Sequence, residues 1–284
     1  MIVVTGATGQ LGRLVIASLL KKVPAASIVA AVRNVEKAKD LKAQGVQVRH
    51  ADYTQPVTWE AALKDADKVL LISSSEIGQR AKQHRSVIDA AKRAGVKLLA
   101  YTSVLHADTS VLGLAAEHRE TEAYIRASGV PFVLLRNGWY TENYTAGIPT
   151  ALSLGAVYGS AGDGHISSAT RADYAEAAAR VLTTEGQAGK IYELAGDTAY
   201  TLSVFAAEIS RQNGKAVNYV NLPEAEYKKA LLGAGLPEFV AELLANSDTG
   251  ASKGALFDEG QQLSKLIGRP TTPLAVAIKV ALQR

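Results

Sequence analysis

The fold class predicted by the sequence is α/β, a doubly wound parallel sheet with a smaller C-terminal lobe, and three observations predict it. The apolar run Ile2-Val3-Val4 leads into a glycine-rich turn and then into the helix-like run Leu14-Val15-Ile16-Ala17-Ser18-Leu19-Leu20. Short apolar strand-like runs then alternate with helical segments as far as residue 135. Beyond Arg136 the alternation loosens and glycines accumulate. At 284 residues the chain is long enough for one large α/β unit or for a sheet domain that carries a lobe.

The turn reads Thr5-Gly6-Ala7-Thr8-Gly9-Gln10-Leu11-Gly12. Gly6 permits a tight turn off the strand, Gly9 lets backbone amides approach a pyrophosphate with no Cβ in the way, and Gly12 lets the helix pack closely on the sheet. An anion then rests on the helix N-terminus, where unpaired N–H groups and the macrodipole favour negative charge. This is the arrangement of a dinucleotide-binding fold of the Rossmann type, with the glycines spaced G-x-x-G-x-x-G.

The remaining strands are read at 28–32, 46–48, 68–72, 97–101 and 132–135, and the helices at 10–22, 35–43, 58–64, 79–94 and 114–128. Gly45, Gly95 and Gly129 follow last turns as C-terminal stops. The expected strand order is 3-2-1-4-5-6. A loop-rich stretch with Pro149, Gly155, Gly159, Gly162 and Gly164 follows, then Thr170-Arg171-Ala172-Asp173 as a capping-box-like start to a helix at 174–183. A strand at 191–194 rejoins the sheet. Next come a helix near 202–212, a strand near 217–220 and a helical pair near 224–232 and 238–245. Residues 1–136 and 168–196 are thus expected to form the nucleotide-binding domain. Residues 137–167 and 197–284 are expected to form a smaller substrate lobe at the carboxyl ends of the strands, where open α/β sheets bind ligands. The apolar run 276–282 suits either a homodimer surface or core, and the sequence leaves both open.

A site selective for NAD puts an acid at the end of the second strand to grip the ribose 2′-OH. Here that strand ends Ala30-Ala31-Val32-Arg33-Asn34, and Arg33 offers a fork of donors suited to a 2′-phosphate, so the expected cofactor is NADP(H). Lys37 and Lys39 read as solvated helix residues. Asp52, after the third strand, is placed to meet the adenine amino group. Ser73, Ser74 and Ser75, at the end of the fourth strand, offer small hydroxyls and exposed amides where the middle of the dinucleotide passes. Asp and Ser at such places also serve as turn residues through local hydrogen bonds.

Several function classes are excluded by what the chain lacks. Net charge is +4 (31 basic, 27 acidic), with Lys and Arg scattered, so no nucleic-acid partner is implied. No apolar stretch approaches the ~20 residues that span a bilayer. The absence of cysteine, and a first strand too close to the start to leave room for a leader, suit a cytoplasmic protein. His50, His84, His106, His118 and His165 make no H-x-x-x-H pair, so no metal site is expected. No G-x-S-x-G elbow is present. A Tyr four residues before a Lys, the proton-exchanging pair of alcohol-oxidising short-chain dehydrogenases, is missing: Ser128 follows Tyr124 at that spacing, and Tyr144 follows Tyr140. His118 and Glu122 share a helical face as a conceivable proton relay or as an ordinary helix-face pair.

The segments Thr-Gly-Ala-Thr-Gly-Gln-Leu-Gly at 5–12, Val-Arg-Asn at 32–34, Ala-Asp-Tyr at 51–53, Leu-Ile-Ser-Ser-Ser-Glu at 71–76 and Leu-Leu-Arg-Asn-Gly-Trp-Tyr-Thr-Glu-Asn at 134–143 resemble the NmrA-like, atypical short-chain dehydrogenase/reductase family, and within it the bacterial NADPH:quinone oxidoreductases. The likeness runs on through 264–273. It implies cofactor contacts from Gly6, Ala7, Thr8, Gly9, Gln10 and Leu11, with Gly12 closing the turn, from Arg33 and Ser73 to Ser75, from Asn137, Gly138, Trp139, Tyr140, Thr141 and Glu142, and from Arg171. It implies direct hydride transfer from NADPH to a quinone-like planar acceptor. The acceptor is expected against Trp139, Tyr140 and Tyr144, with Asn137 and Asn143 as polar contacts. Positioning alone can suffice for so strong a hydride acceptor, and no catalytic residue is assigned. Reduction of triphenylmethane dyes, or NADP(H) sensing without turnover, are the alternatives.

Overall fold

Strands with no polar alternation are covered on both faces, and the computed structural model, which describes residues 1–283, lays such strands side by side. β1 (Ile2–Val4), β2 (Ile28–Val32) and β5 (Leu98–Val104) are buried at every position. They join β3 (Gln47–His50), β4 (Lys68–Leu71), β6 (Phe132–Asn137) and β8 (Ile191–Leu194) in a seven-stranded sheet ordered β3-β2-β1-β4-β5-β6-β8; β7 (Ala156–Gly159) belongs to a second sheet. The strands run parallel from β3 to β6, with Val3 opposite both Val29 and Val69. Leu134 N–H donates to Lys190 O and Gly138 N–H to Leu194 O, a four-residue advance on each strand, so β8 is parallel as well.

β5 and β6 run further than their apolar residues predict. The ladder continues through Thr102↔Leu135, Ser103↔Arg136 and Val104↔Asn137, and of the polar side chains here Thr102 accepts from Ser73 N–H while Ser103 and Arg136 share Glu122 as a buried partner. The predicted helix at 35–43 divides into a 3-10 turn, Val35–Ala38, capped by the Asn34 side chain, and α2 (Lys39–Ala43). α1 (Gln10–Leu20), α3 (Thr58–Ala62), α4 (Arg80–Arg93) and α5 (Ala115–Ser128) follow the expected order. The three glycine stops adopt positive φ, +85° at Gly45, +65° at Gly95 and +77° at Gly129.

The chain forms two compact units. The first comprises residues 1–107, 116–137 and 171–192, with a core of Trp59, Leu63, Val87, Ile88, Leu99, Tyr101 and Leu134 and with α8 (Arg171–Thr183) packed on α1. The second comprises 108–115, 138–170 and 193–284. The stretch read as loop holds three short elements, α6 (Thr141–Thr145), α7 (Ile148–Leu154) and β7. α7 has Pro149 in its first turn and ends on Gly155 at φ +67°. β7 pairs in parallel with β9 (Asn218–Asn221), a partner about 60 residues away that no local pattern reveals. α9 (Leu202–Asn213), α10 (Glu224–Gly233), α11 (Glu238–Ser252), α12 (Gln262–Ile267) and α13 (Leu274–Leu282) complete this unit. α13 packs on α6 and α9, burying Ile278 and leaving Val276 and Val280 exposed. Among the described residues no helix is long and apolar enough to cross a membrane.

Candidate active site

At the glycine turn the backbone, not the side chains, sets the local geometry. Gly6 sits at φ +56°, and Gly9 N–H donates to Gly6 O at 2.9 Å. A Cβ on Gly12 would fall 2.5 Å from Gly6 O and 2.8 Å from Ala7 Cα, closer than such atoms can stand. α1 begins with no capping side chain and no acid in its first turn, so the amides of Gln10, Leu11 and Gly12 meet no intrahelical acceptor. Ala7 is buried, Thr8 half-buried, and Gly9 and Gln10 are exposed. Unsatisfied donors at an uncapped helix start suit a pyrophosphate.

Arg33 leaves β2 with its side chain 74% exposed and its ion-pair partner Glu76 at 3.8 Å, a loose contact that a phosphate can displace. Asp52 turns Oδ1 to the backbone and hydroxyl of Thr54, both at 2.8 Å, so that oxygen serves the local turn. The Tyr53 hydroxyl donates to Ile72 O at 2.8 Å and accepts from Thr5, whose Oγ1 in turn accepts from Ile72 N–H at 2.9 Å. These bonds tie the ends of β1 and β4 together beneath the turn.

The serine segment is less open than its sequence predicts. Ser73 N–H donates to Thr102 Oγ1 at 2.8 Å, and Ser74 N–H donates to His84 Nε2 at 2.9 Å, so neither amide is exposed for a phosphate. The Ser74 hydroxyl is bonded to Gln83, while Ser75 stays exposed. A backbone N–H can only donate, so His84 is neutral and Nδ1 carries its proton, directed to Thr121 Oγ1 at 2.9 Å. Burial, with Arg80 nearby, lowers its pKa to about 3. The buried Arg80 holds Ser74 O at 2.7 Å, and Glu117 accepts the Gly78 and Arg80 amides at the start of α4.

His118 and Glu122 do not act on one another. His118 Nδ1 meets the Tyr101 hydroxyl at 2.7 Å, and burial keeps the ring neutral. Glu122 is clasped by Arg136 through Nε at 2.9 Å and Nη2 at 2.7 Å, and it accepts from Ser103 at 2.6 Å. Both groups are fully committed to holding the strand ends, which removes the relay reading.

Asn137 ends β6 with its buried Oδ1 unpartnered among the described residues. An unpaired acceptor is costly unless a ligand completes it, and a carboxamide N–H of the kind nicotinamide carries is a matching donor. The glycine cradle, the loose Arg33 and this orphaned acceptor therefore fit the cofactor expected from the sequence. Arg171 is the first residue of α8, half-buried.

The aromatic segment continues in the second unit. Gly138 and Trp139 are buried, and Tyr140, Glu142, Asn143 and Tyr144 half-buried. Ala169 N–H donates to Trp139 O and Thr141 N–H to Ala169 O, which anchors the start of α6, and Thr141 Oγ1 meets Ser168 Oγ at 2.8 Å. Tyr144 packs on Phe205, and its hydroxyl donates to Asp248 Oδ1 at 3.0 Å. Asp248, absent from the sequence expectations, is buried on α11; its other oxygen accepts Ser160 N–H at 3.1 Å, and burial raises its carboxyl to about 6. The signal lay in helical spacing, since Ala241, Ala245 and Asp248 share one buried face.

Comparison with known proteins agrees with this geometry. Residues 6–185 match a family model described as NAD(P)H-binding. The chain is 61% identical over 278 residues to quinone oxidoreductase 2 of Escherichia coli, covering 98% of this chain and 97% of the relative. The crystal structure of the NADPH-dependent quinone oxidoreductase QOR2 of Escherichia coli, complexed with NADPH, superposes with a TM-score of 0.97 at 60% identity, covering 99% of this chain and 100% of that one. The Citrobacter sp. triphenylmethane reductase complexed with NADP(H) gives a TM-score of 0.96 at 43% identity, with 99% and 100% covered. The uncapped glycine turn, the parallel sheet ordered around it and these matches place the chain in the NAD(P)H-binding family.

Proposed function

We propose that this chain is an NADPH-dependent quinone oxidoreductase of the cytoplasm. The observation that carries the reading is 61% identity across nearly the whole length of a quinone oxidoreductase, in a chain that has no Tyr-x-x-x-Lys pair for alcohol chemistry. Gly6 to Gly12 would hold the pyrophosphate and Arg33 the 2′-phosphate, with Asp52, Ser73 to Ser75 and Arg171 beside the nucleotide and Asn137 to Glu142 toward the nicotinamide. Bound there, NADPH supplies a hydride.

The chain's own residues then have limited work. Asn137, Trp139, Tyr140, Asn143 and Tyr144 orient a flat acceptor and exclude water from it, and correct placement of the reacting atoms provides much of the acceleration. The 43% identity with a triphenylmethane reductase favours cationic dyes as a second acceptor class. Steady-state oxidation of NADPH, followed across simple benzoquinones and cationic triarylmethyl dyes, tests the reading. Saturable quinone-dependent turnover is expected. Tight NADPH binding with no acceptor-dependent oxidation would replace the enzyme by a sensor.

A further inference from the structure

A quinone that has accepted a hydride is a hydroquinone monoanion, one proton short of product. Three groups at the strand ends of the first unit are already engaged by other partners. Tyr101 is tied to the neutral His118, Glu122 is an ion-paired carboxylate, and the Tyr53 hydroxyl is spent on Ile72 O.

The second unit holds a different arrangement. Tyr144, already proposed to face the acceptor, is backed by the carboxyl of Asp248 at 3.0 Å. That carboxyl is built in closely: a Cβ on Gly159 would come within 2.6 Å of Asp248 Oδ2 and 2.8 Å of Leu202 Cδ1. The titratable groups bearing on it are phenols, namely Tyr144 on α6, Tyr200 ahead of α9, Tyr219 on β9 and Tyr227 on α10, with Asp163 acting on Tyr219. Among the described residues the hydrogen-bond partners of the Asp248 carboxyl are Tyr144 and the Ser160 amide.

We propose that Tyr144 is the proton donor to the reduced quinone and that Asp248, hydrogen-bonded behind it, supplies and controls that proton. The inference rests on the quinone-reductase reading. While Asp248 is ionised, the Tyr144 O–H points back to Oδ1. Once Asp248 is protonated, its own O–H donates to Tyr144 Oη, and the phenol hydrogen is released toward the acceptor. The reduced quinone's oxyanion takes the Tyr144 proton as Tyr144 takes the Asp248 proton; two O–H bonds form, two break, and the carboxylate recovers its proton from solvent.

Tyr144 alone cannot do this. Burial and the neighbouring carboxylate hold its phenol well above the ordinary value. A carboxylic acid whose pKa is about 6 makes the coupled transfer favourable.

The test is the pH profile of kcat/KM for p-benzoquinone in wild type, Y144F and D248N, with NADPH affinity measured in each as the check on folding. Wild-type kcat/KM should rise roughly tenfold as pH falls from about 8 to about 5, with an inflection near 6. Y144F and D248N should each flatten that profile and lose on the order of 10- to 100-fold at low pH, with NADPH affinity retained. The 13C signal of the Asp248 carboxyl, identified by its loss in D248N, should titrate near 6 in the cofactor-free protein. Wild-type rates in either variant, a surviving inflection in D248N, or a carboxyl signal titrating in the ordinary range near about 4 would overturn the proposal while leaving quinone reduction intact. No quinone-dependent oxidation by the wild type would overturn both.

Discussion

Asp248 puts an acid among the small buried residues Ala241, Ala245, Ser247, Gly250 and Ala251 of its helix, and its energetics can be read without any substrate. Its folded pKa of about 6 lies above the ordinary 3.8, so the fold favours the protonated form. That contribution is fully present below about pH 4 and is lost as pH rises through about 6. The difference is on the order of 3 kcal/mol at about 1.4 kcal/mol per pH unit. D248N cannot ionise. Its urea midpoint relative to wild type should therefore rise between about pH 4 and about pH 8 by an amount worth about that much. A pH-independent difference would show that the carboxyl is not buried as described. Arg33 stands out in the sequence because the end of the second strand is where a partner for a 2′-phosphate is expected. Asp248 was not: the periodicity read for its helix stops at 245, while the helix runs on to Ser252 because Ser247, Asp248, Gly250 and Ala251 bury against neighbours from elsewhere in the chain.

At the scale of elements, α1 and its glycine turn do the most with the fewest residues. Gly12 has backbone on the side where a Cβ would go, and backbone cannot swing aside as a side chain can. Gly12→Ala should cost about 1 to 3 kcal/mol of stability, as overpacking does. By lifting α1 off the turn, it should also weaken NADPH binding by roughly tenfold or more, about 1.4 kcal/mol. A calorimetric titration with wild-type affinity would contradict this geometry. The turn, six strands and their helices were readable because glycine stops and apolar runs are local signals. β7 was missed because four residues gain strand geometry only from β9, and the polar ends of β5 and β6 lie beyond the apolar runs, held in the ladder with Glu122 satisfying Ser103 and Arg136.

For the whole molecule, the first unit carries the uncapped glycine turn and Arg33, and the second unit carries Tyr144 and Asp248. The split at 108–115, which joins the second unit, has no mark in the sequence. Within the candidate site the motif residues stand out in the sequence, but whether an amide such as that of Ser74 is open depends on His84, ten residues on in α4. The account's central claim is that NADPH, gripped by its 2′-phosphate at Arg33, reduces a quinone on this chain. Stopped-flow mixing of the NADPH-loaded protein with p-benzoquinone, in wild type and R33A, tests it most directly. Wild type should lose NADPH absorbance in a phase whose rate rises with quinone. R33A should require roughly 10- to 100-fold more NADPH to show that phase, the loss of a charged hydrogen-bond pair worth about 1.5 to 3 kcal/mol. Absorbance loss no faster than without protein, or an R33A trace indistinguishable from wild type at limiting NADPH, would contradict it.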